Sequence, residues 1–152
     1  MVARLDPQKY PYTAKTRCIS YHLDAGRAVW YIKTMACNVL LVEDDALSRR
    51  NLVIYLQQSA HNVVQTDTGE AAIELMSQVE FDVVISDLRL PGRINGMDVL
   101  RHHSQMLPGK RLILLTAFGS DKTRAEAEAM RAIYYEKPIS MEDLLGSVET
   151  LP

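Results

Sequence analysis

The stretch VLLVEDD, Val39–Asp45, runs four apolar residues straight into three consecutive carboxylates. A continuous apolar run of this length marks a strand covered on both faces. Acids stacked at its carboxyl end repel one another, so something must offset them. From Asn38 onward, short apolar runs alternate with helical patterns. ALSRRNLVIYLQQSA (46–60) sets Leu52, Tyr55, Leu56 and Ser59 at helical spacing, and VVQT (63–66) reads as a short strand. GEAAIELMSQV (69–79) places Ala72, Leu75, Met76 and Val79 on one helical face. DVVIS (82–86) is a second buried strand, and Asn95 to Met106 reads as a helix with Met97 and Leu100 toward the core, followed by Leu107. RLILLT (111–116) and IYYE (133–136) are strands on either side of SDKTRAEAEAM (120–130), a helix with Ser120 as N-cap. SMED opens a last helix at Ser140 like a capping box, with Leu144, Leu145 and Val148 as its apolar stripe.

Five strands alternating with five helices predict an α/β fold: a parallel sheet with right-handed crossovers and helices on both faces. In such sheets the site lies at the carboxyl ends of the strands, where the strand order reverses. The strand ends should therefore carry the chemistry. Glu43, Asp44 and Asp45 follow the first strand, Asp87 the third, Thr116 the fourth and Lys137-Pro138 the fifth. Thr66-Asp67, at the end of the second, receives no role.

Carboxylates from the first and third strands would crowd one another, and a hard divalent cation, Mg²⁺, removes the conflict by taking oxygen ligands. A carboxylate beside the metal can attack phosphorus, and Asp87, alone at its strand end, is the candidate. Phosphoryl transfer needs positioning and neutralised charge, which the Lys137 ammonium and the Thr116 hydroxyl supply. Each signal has an ordinary explanation by itself: a solvated edge, a cap, β-propensity, a surface loop. Their order along the chain is what carries the reading.

The totals fit this picture. The 152 residues, 47% hydrophobic and 24% charged, suit one domain with its own core. No apolar run is long enough for a membrane span, and the N-terminus lacks the apolar core of a secretory signal. Cys18 and Cys37 have neither disulfide-framework nor metal spacing, so reduced thiols and a cytoplasmic location are expected. Residues 1–38 hold six Lys/Arg and two Asp, whereas 39–152 hold eleven Lys/Arg and seventeen Asp/Glu. An acidic body argues against nucleic-acid binding by that part.

VLLVEDDALSRR, FDVVISDLRLPG, LILLTA and YYEKP together resemble the receiver domain of bacterial two-component response regulators, over about Asn38 to Leu151. The resemblance implies a flavodoxin-like, doubly wound (βα)5 three-layer sandwich with strand order 2-1-3-4-5. It implies Asp87 as phosphoacceptor; Glu43, Asp44, Asp87 and the Arg89 backbone carbonyl as Mg²⁺ ligands; and Thr116 and Lys137 as phosphoryl-binding groups. Asp45 falls where no ligand is usual. Tyr134 falls on the switch aromatic that follows Thr116, and the Lys137–Pro138 bond is expected cis. The domain would catalyse only its own phosphorylation and dephosphorylation. Its donor would be a sensor histidine kinase or a histidine phosphotransfer protein. Its output would be a downstream protein docking on the fourth helix, fifth strand and fifth helix, with a homodimer as a further expectation.

Three features depart from the family pattern. Glu43 replaces the more usual Asp. Gly96 comes five residues after Pro91, one more than usual. Met130-Arg131 stands before the fifth strand, where Gly-Ala is usual. Arg89 and Phe118, two residues after Asp87 and Thr116, are bulky and predict slow loss of phosphate. A binding-only pseudo-receiver is one rival. A Mg²⁺-dependent aspartate-nucleophile phosphatase is the other, but SDLRL has Arg89 where such enzymes carry a second Asp. Residues 1–37 are expected to be a disordered or loosely docked extension, with a helical turn or two in DAGRAVWYIKTMA, and residues 38–152 to be a stand-alone receiver. Residues 1–34 hold five of the ten aromatics. Basic and aromatic residues together can mark a nucleic-acid or anionic-surface contact, but a charge of +4 over this length is a weak signal for one.

Overall fold

A computed structural model describes residues 19–24, 27–32 and 36–149; the remaining N-terminal residues, Cys18 among them, and residues 150–152 lie outside the described residues. Two strands come first, β1 (Ile19–Asp24) and β2 (Arg27–Ile32), paired antiparallel from Ile19↔Ile32 to Asp24↔Arg27. Where the sequence suggests a helical turn in this stretch, the structure has a strand. The run Val29-Trp30-Tyr31-Ile32 is β-branched and aromatic, the composition that favours extended backbone.

The alternation then unfolds as the periodicity requires: β3 (Asn38–Val42), α1 (Ala46–Gln58), β4 (Asn62–Thr66), α2 (Gly69–Gln78), β5 (Val83–Asp87), α3 (Gly96–Met106), β6 (Arg111–Thr116), α4 (Asp121–Ala129), β7 (Ile133–Glu136) and α5 (Met141–Glu149). The sheet order is β4-β3-β5-β6-β7, all parallel, which is the 2-1-3-4-5 order of a flavodoxin-like fold. Alternate residues of each central strand feed two separate cores. Leu40, Val42, Val84, Leu112 and Leu114 pack with Ala72, Met76, Met97 and Leu100, so α2 and α3 cover that face. Val39, Leu41, Ile85, Ile113 and Leu115 pack with Leu52, Leu56, Leu144 and Val148 from α1 and α5 on the other. The four apolar residues of VLLV are fully buried, each contributing about 2 kcal/mol relative to exposure.

Side-chain caps start the helices where the sequence places them. Asp45 Oδ1 accepts from Ser48 N (2.7 Å), Thr68 Oγ1 from Ala71 N (3.3 Å), Ser120 Oγ from Thr123 N (3.1 Å) and Ser140 Oγ from Asp143 N (3.3 Å). Asn95 and Asp98 form a full capping box at α3. The turn leaving α4 keeps its closing bonds without glycine: Arg131 N donates to Glu128 O and Ala132 N to Ala127 O, both at 2.9 Å. Arg131 holds φ 57 to do so, a left-handed conformation that costs a side-chain-bearing residue roughly 1 kcal/mol.

Candidate functional site

The strand ends converge because the sheet ladder continues one residue past each strand. Glu43 N donates to Thr66 O (3.1 Å), Leu88 N to Leu115 O (2.8 Å) and Lys137 N to Thr116 O (2.8 Å). This levels Glu43, Asp87, Thr116 and Lys137 at one end of the sheet. The Lys137 Nζ donates to Glu43 Oε2 at 2.6 Å and also to Asp87 Oδ2. The ammonium therefore lies between carboxylates from β3 and β5. Here is the positive charge that the acids of VLLVEDD require.

Electrostatics follow from burial and this bridge. Glu43 is 1% exposed and Asp87 7%. Burial pushes the Glu43 carboxyl above its usual range, and the bond from Lys137 opposes that rise without cancelling it. For Lys137, burial favours the neutral amine, but the bonds to Asp87 and Glu43 outweigh it and hold the ammonium above its ordinary value. The Lys137–Pro138 peptide is cis, as the resemblance implies.

Glu43, Asp44 and Asp87 each offer an oxygen, and these oxygens lie within 4.8 Å of one another. The donor set is all oxygen and all anionic, and a cation already sits between two of its members. That suits a hard divalent ion. Asp45, the third acid, is turned away as the α1 N-cap, so the triple carboxylate splits into a pair for the site and one for the helix. Arg89 lies in the turn directly after Asp87, and its amide donates to Asp87 Oδ1 at 3.0 Å.

Thr116 is fully buried, and its Oγ1 accepts from Phe118 N at 3.1 Å. That bond uses a lone pair and leaves the hydroxyl proton free to donate. Tyr134 is half-buried on the far side of this loop. Its hydroxyl donates to Glu136 Oε1 (3.2 Å), while the Arg124 guanidinium lies 4.4 Å over its ring and also bonds Glu136 Oε1 (3.0 Å).

Two residues that the sequence reading passed over hold the acidic turn. Arg49 Nη1 donates to the carbonyls of Glu43 (2.6 Å) and Asp44 (3.2 Å), and Ser48 Oγ donates to Glu43 Oε2 (3.3 Å). A signal was present: an arginine near a helix N-terminus opposes the macrodipole, so it needs another reason to be there. Gly96, despite the longer spacing from Pro91, keeps close contact with the Asp87 backbone. A Cβ at that position would overlap the Asp87 carbonyl oxygen and stand 2.9 Å from Ser86 Oγ. The extra residue is absorbed in the turn before it, where Gly92 takes φ 98. A cavity of about 530 Å³ lies elsewhere, at the amino ends of β6 and β7 beside Lys110 and Arg131, and has no part in this cluster.

Among the described residues no helix is long and apolar enough to cross a membrane. A family model described as "Response regulator receiver domain" matches residues 39–149. The chain is similar to the response regulator receiver protein CpdR of Brucella abortus, 27% identical over 114 residues that cover 74% of this chain and 94% of that protein. It is 36% identical over 115 residues to the response regulator protein FleR of Pseudomonas aeruginosa, covering 75% of this chain and 24% of FleR. The chain thus spans nearly all of the first relative and about a quarter of the second. Its fold superposes on the non-phosphorylated HemR receiver domain of Leptospira biflexa with a TM-score of 0.68 at 29% identity, over 76% of this chain and 97% of that one.

Proposed function

The chain belongs to the response regulator receiver family of two-component systems, and from that premise we propose that Asp87 is its phosphoacceptor, charged by a histidine kinase or a histidine phosphotransfer protein. The observation that carries the reading is the bridge from Lys137 Nζ to Glu43 and Asp87. It joins three strand ends and places fixed positive charge at the proposed nucleophile.

In the proposed reaction an Asp87 carboxylate oxygen attacks the phosphorus of a phosphohistidine in line with the P–N bond. The P–O bond forms as the P–N bond breaks, and the donor's imidazole leaves with the electron pair and ends neutral after taking a proton. Lys137 stays at the carboxylate and meets one phosphoryl oxygen as a point charge. Thr116 donates its hydroxyl proton to another, an interaction that strengthens as charge develops. Glu43, Asp44, Asp87 and the Arg89 carbonyl would hold Mg²⁺, which when bound draws negative charge off the phosphoryl oxygens. The phosphate adds nearly two negative charges and biases a two-state equilibrium. Thr116 and Tyr134 would report that change to the face formed by α4, β7 and α5, where an output protein or a second copy would dock. Residues 38–152 carry this activity in the cytoplasm, and residues 1–37 are read as an extension to it.

Intact mass after incubation with acetyl phosphate and Mg²⁺ tests the assignment. The parent is expected to gain one phosphoryl group and Asp87→Asn none. No gain in the parent would favour a binding-only pseudo-receiver. Continuous release of phosphate with turnover would favour a phosphatase. Equal gain in both proteins would place the acceptor elsewhere.

A further inference from the structure

We propose that Glu70 is a positioning residue for the turn that carries Asp87 and Arg89, gripping the far end of that turn from the first turn of α2. The proposal rests on the reading of Asp87 and the Arg89 carbonyl as the reacting and metal-holding groups.

The turn from Leu88 to Asn95 is fixed at its base by Gly96, whose N–H donates to Leu88 O at 3.0 Å and whose missing Cβ makes room for the Asp87 carbonyl. Its side chains Leu88, Leu90 and Ile94 pack on the core beneath. The tip needs a separate hold, because the extra residue between Pro91 and Gly96 lengthens the backbone that must close. Glu70 supplies it. Its Oε1 accepts from Arg93 N at 2.8 Å. A Cβ on Gly92 would stand 2.7 Å from both carboxylate oxygens, and φ 98 there already selects glycine. The neighbouring Gly69 fits against Ile94: a Cβ there would overlap the Ile94 carbonyl oxygen and lie 2.6 Å from its Cγ2.

Three successive residues of the turn, Gly92, Arg93 and Ile94, therefore meet two successive residues of α2. A carboxylate accepting backbone N–H groups makes charge-assisted bonds, stronger than neutral ones, and its place in the first helical turn is favoured by the macrodipole. The Arg93 amide first, then Glu70's own amide and more weakly that of Ile94, hold the Glu70 carboxyl below the usual range. Arg89 sits in the span between the two anchors, with its amide on Asp87 Oδ1. Freeing one anchor lets that span, and the Arg89 carbonyl with it, sample other positions.

The test uses the full chain, with Glu70→Ala, Glu70→Gln and, as a helix control, Glu74→Ala. Hydrogen exchange at the Arg93 and Ile94 amides reads the clamp. Mg²⁺ titration followed by the amide NMR shifts of Asp87 to Leu90 reads positioning without requiring any phosphoryl transfer. Glu70→Ala should speed exchange at both amides and weaken Mg²⁺ binding several-fold, short of the about tenfold or more that follows loss of a group bonded directly to a metal ligand. Glu70→Gln, which keeps one acceptor for Arg93, should fall between Ala and the parent, and Glu74→Ala should change neither readout. Faster exchange with unchanged Mg²⁺ affinity would reduce Glu70 to a structural tie and overturn the proposal. So would unchanged exchange, or a parent that shows no Mg²⁺-dependent shift. A parent that binds Mg²⁺ but takes no phosphate from acetyl phosphate would count against Asp87 as acceptor, while the titration would still decide on Glu70.

Discussion

The Arg89 guanidinium lies over the Phe118 ring, 4.6 Å from its centroid. The two residues belong to different loops, one following Asp87 and the other following Thr116, and each loop is tied to its own strand end by a hydrogen bond that the residue's backbone N–H donates, to Asp87 Oδ1 or Thr116 Oγ1. Phe118 is 67% exposed, so the pair is a surface bridge across the mouth of the site. A cation over an exposed ring contributes about 0.5–1 kcal/mol.

An acyl phosphate on the proposed acceptor Asp87 would stand between the two loops that this pair joins. Slow self-dephosphorylation of the parent is expected, and Arg89→Ala with Phe118→Ala should speed it about two- to fivefold, the factor that about 0.5–1 kcal/mol corresponds to. Loss of phosphate is followed by intact mass after removal of the donor. A parent half-life of seconds with no phosphatase present would sink this reading.

Lys137 is the cation between Glu43 and Asp87, and Glu43 is almost wholly out of water. In Lys137→Met the two carboxylates face each other uncompensated. The variant should lose about 3 kcal/mol in the presence of a chelator, the usual cost of breaking a buried pair from one side. Mg²⁺ should then stabilise the variant more than it stabilises the parent, because a ligand that binds only the folded state shifts the folding equilibrium. Denaturant midpoints with and without Mg²⁺ check both parts. Equal midpoints for parent and variant in chelator would show that the bridge contributes nothing.

Gly119 leaves room for the resting position of Tyr134. A Cβ there would overlap the Tyr134 hydroxyl and stand 2.6 Å from Glu136 Oε1. Gly119→Ala should therefore cost about 1 kcal/mol, the low end of an overpacking change, because both atoms are the ends of flexible side chains, and less than half of that in a Tyr134→Phe background. The difference is the coupling term of a double-mutant cycle. Additive costs would mean that Tyr134 does not occupy this space in solution.

His103 on α3 is 1% exposed, and its Nε2 has no hydrogen-bond partner among the described residues. Burial, with Lys110 adding to it, lowers its pKa from 6.5 to about 4. The sign follows directly. Above 6.5 the imidazole is neutral in both states and the full stability is present. As pH falls from 6.5 toward 4 the unfolded chain takes up a proton that the folded chain does not, so stability drops, by about 3 kcal/mol in all. His103→Leu should have a flatter stability profile over this window than the parent. Parallel profiles in urea melts at a series of pH values would exclude the effect.

Arg131 occupies a left-handed turn position without being glycine. Arg131→Gly should raise stability by about 1 kcal/mol, less whatever the more flexible unfolded chain takes back. A loss in thermal or denaturant melts would mean that the arginine side chain contributes more than its backbone strain costs.

Local chemistry was legible in the sequence. The apolar run at Val39–Val42 reads as a strand buried on both faces because it is short and ends at once in a charged turn, where a buried helix would run on for about ten residues or more. The helical faces at Ala72–Met76 and Leu144–Val148 follow from spacing alone. Asp87, Thr116 and Lys137 stand out because each polar group ends an apolar run, and that is visible without coordinates. The stretch Arg27–Ile32 was harder. Its residues favour a strand, and its partner Ile19–Asp24, ISYHLD, alternates apolar and polar residues, a period-two strand signal that the reading passed over.

From Asn38 onward the sequence by itself determined the strands, the helices and the chemical groups at the strand ends, because these depend on periods of two and 3.6 residues and on the residue types at the boundaries. Only the tertiary structure decided how those groups are shared out. Asp45 went to the helix as a cap while Glu43 and Asp44 stayed with the site. Lys137 reached back 94 residues to Glu43, Arg49 closed on the acidic turn, and Glu70 caught the lengthened loop. Each of these is a contact between segments far apart in the chain or a competition between neighbours for one role. Such outcomes depend on distances that exist only once the sheet has closed and its register has brought the ends level.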